Sequence, residues 1–193
     1  SLYLDPGQPH FERMKKLLGY LLNEDWNTIP QTTDGCRLPN YAFAPTQLAR
    51  LYLQLATGLD SSHLPAPPPE LKDVVANFPR LAEFMNKYPQ YVGGDDRFDT
   101  QLMRNKYTDG AFIFAKEGAD GLLTIGVSGC PLYPQGLGIV IKSSSGDDQR
   151  YFTLIALELL DKLKLLKSSK RRENKLKHLN FQFHFELAEF ARK

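Results

Sequence analysis

Cysteine is scarce in this chain, which contains Cys36 and Cys130 and no other thiol. Two cysteines can form one disulfide, but they exclude the disulfide framework that stabilises many small secreted domains. No apolar run reaches the ~18 residues that a membrane-spanning helix requires, and residues 1–6 lack the pattern of a signal peptide. These absences predict a cytoplasmic protein that keeps its thiols reduced and has no membrane partner.

Net charge is also low, at +2 over 193 residues, but the charges are unevenly distributed. Residues 162–193 contain ten Lys and Arg against three Glu, a balance of +7, which leaves residues 1–161 with a balance of −5. A basic tail on an acidic body binds nucleic acid or acidic lipid in some proteins, and in others it is only a solvated segment. We favour the solvated segment and do not expect a nucleic-acid partner.

Apolar residues recur at helical spacing in several stretches, which predicts α-helices at residues 9–22, 45–57, 71–88, 98–106 and 149–166. In the third stretch, Pro79 is expected to interrupt the helix and to begin another one, because proline lacks the N–H that a helix interior needs. In the fourth stretch, Asp99 or Thr100 is available as a helix cap. Tyr52, on the apolar face of the second helix, is interpreted as a core residue.

Three apolar runs bounded by glycine-bearing turns predict β-strands at residues 111–116, 122–126 and 138–142. Their short connections favour antiparallel pairing. With the last helix packed on this sheet, the expected fold class is α+β, an antiparallel sheet with packed helices.

The remaining stretches are predicted to be irregular. Residues 30–44 are expected to form a loop, and residues 59–69 a proline-rich linker with polyproline character. Residues 1–166 form the predicted domain, and residues 167–193 form a basic tail, either disordered or helical. With 42% hydrophobic residues, the chain is able to bury a sizeable core.

The stretch at residues 33–39, Thr-Asp-Gly-Cys-Arg-Leu-Pro, places a thiol two residues after a carboxylate. Asp-Gly favours a tight turn, so Asp34 and Cys36 are expected to point toward one spot. A thiolate and an acid on one bend suit a metal site or a strained catalytic corner. On spacing alone, we favour a buried structural cysteine, because free cysteine usually behaves as a small hydrophobe.

Several motifs in a fixed order carry a resemblance to a known family. They are Thr-Asp-Gly-Cys at 33–36, Leu-Ala-Arg-Leu-Tyr at 48–52, Arg-Phe-Asp-Thr at 97–100, Ala-Lys-Glu-Gly-Ala-Asp-Gly at 115–121 and Gly-Leu-Gly-Ile-Val-Ile-Lys at 136–142. Over about residues 3–165 the chain resembles the L-asparaginase II family, the serine-lysine, zinc-binding class of asparaginase. The resemblance implies a fold like that of serine β-lactamases and glutaminases.

Two family motifs are missing from the sequence. It contains no Ser-x-x-Lys, which carries the nucleophile in the family, and no Cys-Ser-Gly-Lys, which gives the other zinc ligands. The resemblance therefore covers the C-terminal half of a family member, and the fold it implies is incomplete. The implied function is hydrolysis of L-asparagine to L-aspartate and ammonia by a nucleophile in a missing N-terminal half, so this chain alone is expected to be inactive. The alternative is a non-catalytic binding module or degenerate paralogue.

The resemblance also implies roles for individual residues. Cys36 corresponds to a zinc-ligating cysteine, with the remaining zinc ligands in the missing half. Asp34 corresponds to a carboxylate that orients a water or a substrate ammonium near the metal, or it only forms an Asx-turn. Lys116, in a Lys-x-Gly strand, corresponds to a lysine of the active-site cleft, although an edge-strand lysine facing water has the same local sequence.

Other residues receive structural interpretations. Arg97 and Asp99 are expected to form a local ion pair or a helix cap, and Cys130 to be an ordinary thiol. The family resemblance further implies a homodimer when the protein is complete.

Overall fold

The structure is a computed structural model that describes residues 5, 7–59, 64–105, 107, 110–144 and 149–166, with the backbone alone at 149–151. Its helices are α1 (Pro9–Leu22), α2 (Pro45–Ala56), α3 (Lys72–Lys87), α4 (Gln90–Gly93), α5 (Phe98–Arg104) and α6 (Gln149–Lys162). Its strands are β1 (Gln31–Thr33), β2 (Pro39–Tyr41), β3 (Ile113–Gly118), β4 (Leu122–Val127) and β5 (Leu137–Lys142). The predicted basic tail at 167–193 and residues 60–63 of the predicted linker lie outside the described residues.

The first two helices begin and end where their sequences provide start and stop signals. Proline occupies the first turn of both α1 and α2, where its missing N–H is not needed. α1 is followed by Asn23, which adopts the left-handed conformation at φ 54° and donates its N–H to carbonyls of the last turn. In α2, the Gln47 side chain accepts a hydrogen bond from the Ala44 N–H at 2.7 Å. The helices predicted at 9–22 and 45–57 are confirmed within one residue.

The central sheet is antiparallel in the order β3-β4-β5, as predicted. α2 packs on one face, where Gly126 and Gly138 lie directly opposite each other in the register. A Cβ at either glycine would collide with a carbonyl oxygen of α2, so both positions require the absence of a side chain. Leu123 and Ile125 point to the other face, because side chains alternate along a strand.

The residues of that second face pack with α6 in the main hydrophobic core. Phe152, Ala156 and Leu160 of α6 join Leu123 and Ile125 in the main hydrophobic core. A second cluster, which includes Tyr20, Leu21 and Leu71, lies between α1 and the start of α3. The observed layering of helices on an antiparallel sheet confirms the α+β fold class.

The expected interruption of the third helix at Pro79 is wrong, since α3 is continuous through this residue. The reason is tertiary packing on both sides of the proline. Val75 and Phe78 pack against the second cluster, while Ala82 and Met85 pack in the main core. Pro79 itself is exposed, and the helix continues through it without the hydrogen bond that a backbone N–H would donate there.

The predicted loop at 30–44 contains a short antiparallel hairpin, β1 with β2, in which Thr33 lies opposite Pro39. Each strand has only three residues and no apolar alternation, which explains why no strand was predicted there. Smaller differences affect boundaries: β3 begins two residues later than expected, and α5 and α6 end earlier, at Arg104 and Lys162. Across the described ranges, no helix combines the length and the apolar character needed to cross a membrane.

Candidate functional site

The candidate site is centred on the end of β3, where Lys116 and Glu117 point to opposite faces of the sheet. Lys116 lies opposite Thr124 of β4, and the Thr124 hydroxyl donates a hydrogen bond to the Lys116 carbonyl at 3.0 Å. The Lys116 side chain is 38% exposed. The ammonium therefore lies at the boundary between the sheet and solvent.

Asp99 of α5 is completely buried and is the carboxylate that meets Lys116. Its Oδ2 atom lies 3.3 Å from Lys116 Nζ and accepts the Glu117 N–H at 3.1 Å, and its Oδ1 atom accepts the Thr100 N–H at 2.8 Å. Lys116 Nζ also donates to the Glu117 carbonyl at 2.7 Å. Asp99 thus joins α5 to the outer edge of β3.

The expected role of Asp99 as a helix cap, or as a local partner of Arg97, is wrong. The residue at the cap position of α5 is Arg97, and Asp99 already lies inside the helix. Its carboxylate instead turns toward β3, because the docking of α5 on that strand brings two donors within reach. Capping by Thr100 is also wrong, since its hydroxyl donates to the Pro89 carbonyl at 3.2 Å.

Gly93 makes the close approach of α5 possible. A Cβ at this position would collide with Asp99 Oδ1 and would lie 2.9 Å from the Thr100 hydroxyl. The segment before α5 therefore packs directly over the buried carboxylate.

Arg97 pairs with Glu117 at 2.5 Å, on the face of the sheet opposite to Lys116. The pair borders a cavity of about 280 Å³ whose lining also includes Phe98, Leu123 and Phe152. Two adjacent residues of β3 therefore serve different ion pairs, Lys116 with Asp99 and Glu117 with Arg97.

Tyr52 contributes a further polar group on the Lys116 face, in addition to the predicted packing of its ring. Burial raises the pKa of the Tyr52 phenol, a hydrogen bond with Thr124 lowers this pKa, and the negative charge of Asp99 raises it. The net shift is upward, so the phenol remains a neutral donor at physiological pH.

Asp99, Thr124 and Tyr52 were not selected as site residues from the sequence. One signal for Asp99 was present, because it is an isolated carboxylate among the apolar residues Phe98, Leu102 and Met103 of a short helix. A charged residue among core positions usually has a buried partner.

The hairpin that carries Asp34 and Cys36 is a separate feature. Asp34 Oδ1 accepts the N–H of Cys36 at 2.8 Å and the N–H of Leu38 at 3.0 Å, which makes this residue the centre of an Asx-turn. These hydrogen bonds stay within the hairpin and do not bring Asp34 to Lys116. Cys36 is exposed, so the expectation from spacing of a buried structural cysteine is wrong.

The donors needed for a complete zinc site are not assembled in the described part of the chain. No group of three or more His, Cys, Asp or Glu residues lies together there. Cys36 is a free, accessible thiol, whereas Cys130 is a free, buried one, so the two do not form a disulfide. Since a structural zinc site takes about four donors, these residues by themselves do not fit a closed site.

The comparisons with known proteins identify the family. None of the curated proteins compared with the chain matches it. The sequence model of the L-asparaginase II family matches residues 1–186. A match of this extent includes every element from α1 to α6. The chain belongs to the L-asparaginase II family.

Proposed function

We propose that this chain is part of an L-asparaginase, an amidohydrolase that converts L-asparagine to L-aspartate and ammonia. The observation that supports it most strongly is the family match over residues 1–186, within which Lys116 is a partly exposed lysine held at the edge of the sheet. Gly118 follows two residues later at the exposed end of β3, where a Cβ would lie 3.0 Å from the Leu122 side chain.

The nucleophile of this reaction is proposed to be a serine on a polypeptide segment other than these 193 residues, since they contain no Ser-x-x-Lys. Its hydroxyl would attack the side-chain amide carbon of asparagine, with its proton passing to a base. Ammonia then leaves the tetrahedral intermediate, and water hydrolyses the acyl-enzyme to release aspartate. Backbone N–H groups are the usual donors to the oxyanion in such a step.

This chain would supply one wall of the pocket. Lys116 would contact either the carboxylate of the substrate or the nucleophile, since an ammonium can donate to both. Tyr52 would remain protonated beside it, as its pKa is raised by burial. The protein is proposed to act as a homodimer, as the family resemblance implies, and in the cytoplasm, as the scarcity of cysteine and the lack of a signal-peptide pattern predict.

Cys36 is proposed as one donor to a zinc ion whose other donors lie outside the described residues. Its thiol is exposed at the turn of the hairpin, which leaves the sulfur accessible to an incoming metal. Asp34 is proposed to act near the metal through the oxygen atom that does not shape the turn, since Oδ1 accepts the N–H groups of Cys36 and Leu38. Zinc bound there would supply a positive charge next to the carboxylate.

The test begins with the coding sequence upstream of Ser1, which should encode Ser-x-x-Lys and Cys-Ser-Gly-Lys. The protein that includes this sequence should release ammonia from L-asparagine. We expect Lys116→Met to lower the rate by about 10²-fold or more, the range found when a positioned catalytic group is removed. Lys142→Met is the matched control, because Lys142 also ends a strand but its Nζ donates to the backbone carbonyls of Asp120 and Ser143.

Wild-type activity in the Lys116→Met protein would overturn the proposed role of this lysine. A second function is favoured by one observation, the absence of Ser-x-x-Lys from the 193 residues. It is a non-catalytic binding module or degenerate paralogue. A coding sequence upstream of Ser1 without either motif would favour that function over the asparaginase.

A further inference from the structure

We propose that Asp99 is the positioning residue of this site, which fixes the Lys116 ammonium at the outer edge of β3. The inference rests on the proposed function for its consequence in catalysis, but its geometry stands independently. Asp99 acts through Lys116 and is not itself proposed to touch the substrate.

Asp99 is held in a buried position by backbone donors. Its side chain has no exposure to solvent, and a buried carboxylate is strongly destabilising unless charged or polar donors satisfy it. Two of its donors are backbone N–H groups, from Thr100 of its own helix and Glu117 of β3. These two bonds hold the carboxylate in place whether or not the lysine is there.

Asp99 contacts β3 at one fixed position along the strand. Asp99 Oδ2 binds both the Glu117 N–H, at 3.1 Å, and Lys116 Nζ, at 3.3 Å. One oxygen atom thus contacts the backbone of β3 and the side chain of the preceding residue. A shift of α5 along the strand would break both contacts together, so Asp99 couples the placement of the helix to that of the lysine.

The Lys116 ammonium has one N–H that its contacts with the described residues do not use. Lys116 Nζ has three N–H donors, and within the described residues two of them are directed to Asp99 and to the Glu117 carbonyl. The side chain is nevertheless 38% exposed. The geometry leaves one N–H for a ligand oxygen, on an ammonium whose other contacts are already fixed.

The carboxylate of Glu117 has a different partner from that of Asp99. Glu117 follows Lys116 directly, but its carboxylate pairs with Arg97 on the other face of the sheet. Removing the charge of Glu117 should therefore leave Lys116 in place, whereas removing the charge of Asp99 should release it. In the Asp99→Asn variant, an amide that retains one acceptor oxygen cannot satisfy all three donors that meet the carboxylate.

The experiment measures how quickly Lys116 reacts with a limiting amount of acetic anhydride in the full 193-residue chain, read by mass spectrometry. Lys142 of the same sheet is the internal reference, since its Nζ binds backbone carbonyls and no carboxylate in the described structure. We expect the Lys116 to Lys142 ratio to rise about threefold or more in Asp99→Asn, as an ion-paired ammonium becomes available. In the matched Glu117→Gln variant the ratio should not change.

An unchanged ratio in Asp99→Asn, or an equal rise in Glu117→Gln, would overturn the proposal. Lys142 also detects general loosening, because its own reactivity would rise if the sheet opened. The measurement does not require asparagine hydrolysis, so its failure and the failure of the proposed function are separate results.

Should Asp99→Asn be too unstable for the labelling experiment, a double-mutant cycle with Lys116→Gln provides the second measurement, with all four proteins unfolded by urea in a fixed concentration of sucrose that stabilises the folded state. Lys116→Gln leaves both backbone donors to Asp99 in place, so this variant is expected to fold. We expect the equilibrium constant for urea unfolding to rise less in Asp99→Asn with Lys116→Gln than the two single changes predict together. If Asp99→Asn unfolds the chain equally whether residue 116 is Lys or Gln, the coupling is absent and the proposal is wrong.

Discussion

At the scale of single residues, Tyr52 connects the polar groups near Lys116 to the stability of the protein. Its pKa in the folded chain is raised above the ordinary value of 10.0, chiefly by burial. In the unfolded chain the phenol ionises near that ordinary value, while the folded chain retains the proton. The folded state therefore binds more protons above pH 10, and the free energy of unfolding falls as the pH rises through this range.

We predict that Tyr52→Phe makes this alkaline loss of stability shallower. At neutral pH the change should cost about 1 kcal/mol, because the hydrogen bond with Thr124 is lost. The measurement is urea unfolding between pH 7 and pH 11, compared with the wild-type chain. Some dependence on pH should remain, since burial also raises the pKa values of Tyr20 and Tyr41. An identical slope in the variant would contradict this account of Tyr52.

The site residues also show how far single positions can be interpreted from sequence. Lys116 and Cys36 were selected because short motifs surround them, and motifs are local. Asp99 was assigned to a helix cap, and its contact with Lys116 depends on how α5 docks against a strand 17 residues further on. The apolar periodicity of α5 carries no information on where this helix docks, so the pairing of Asp99 with Lys116 could not be derived from the sequence.

At the scale of elements, the packing of α2 on the sheet depends on two glycines. Gly126 and Gly138 lie opposite each other on adjacent strands, and their missing side chains allow the backbone of α2 to approach the sheet. This close packing places Tyr52 of α2 next to Thr124 of β4. The site therefore depends on glycines that are not themselves part of it.

We predict that Gly138→Ala lowers the free energy of unfolding by about 2–3 kcal/mol, because the added methyl group overpacks the contact with the Ala49 carbonyl. Gly35→Ala is the matched control. Nothing lies within 4 Å of a Cβ built at Gly35, so this variant should unfold at nearly the wild-type urea concentration. Equal effects of the two substitutions would show that α2 does not press on the sheet as described.

The helices and strands were predicted accurately where the pattern of apolar residues was strong. The helices α1 and α2 and the strands β3 to β5 were expected within about two residues, because helical spacing and short apolar runs are strong signals. The hairpin of β1 and β2 was missed because its strands are short and polar. The break expected at Pro79 did not occur, because two separate clusters hold the halves of α3 in one line.

At the scale of the whole molecule, α3 packs against both hydrophobic clusters. The candidate site lies at the edge of the central sheet, whose strands contribute to the larger cluster. The sequence was sufficient to predict an α+β protein and to recognise its family, since several ordered motifs agree. It could not provide the arrangement in which α5 packs against the edge of β3 and brings Asp99 to Lys116. That arrangement depends on contacts between distant segments, such as Asp99 with Glu117 and Thr100 with Pro89.

The central claim is that this chain contributes a lysine-bearing wall to an asparaginase whose nucleophile lies on another segment. The most direct measurement is ammonia release from L-asparagine by the purified 193-residue chain, with and without added zinc. We predict no release above that of buffer, because no Ser-x-x-Lys is present among these residues. Release that depends on the concentration of this chain would contradict the claim, since it would place the nucleophile within these 193 residues.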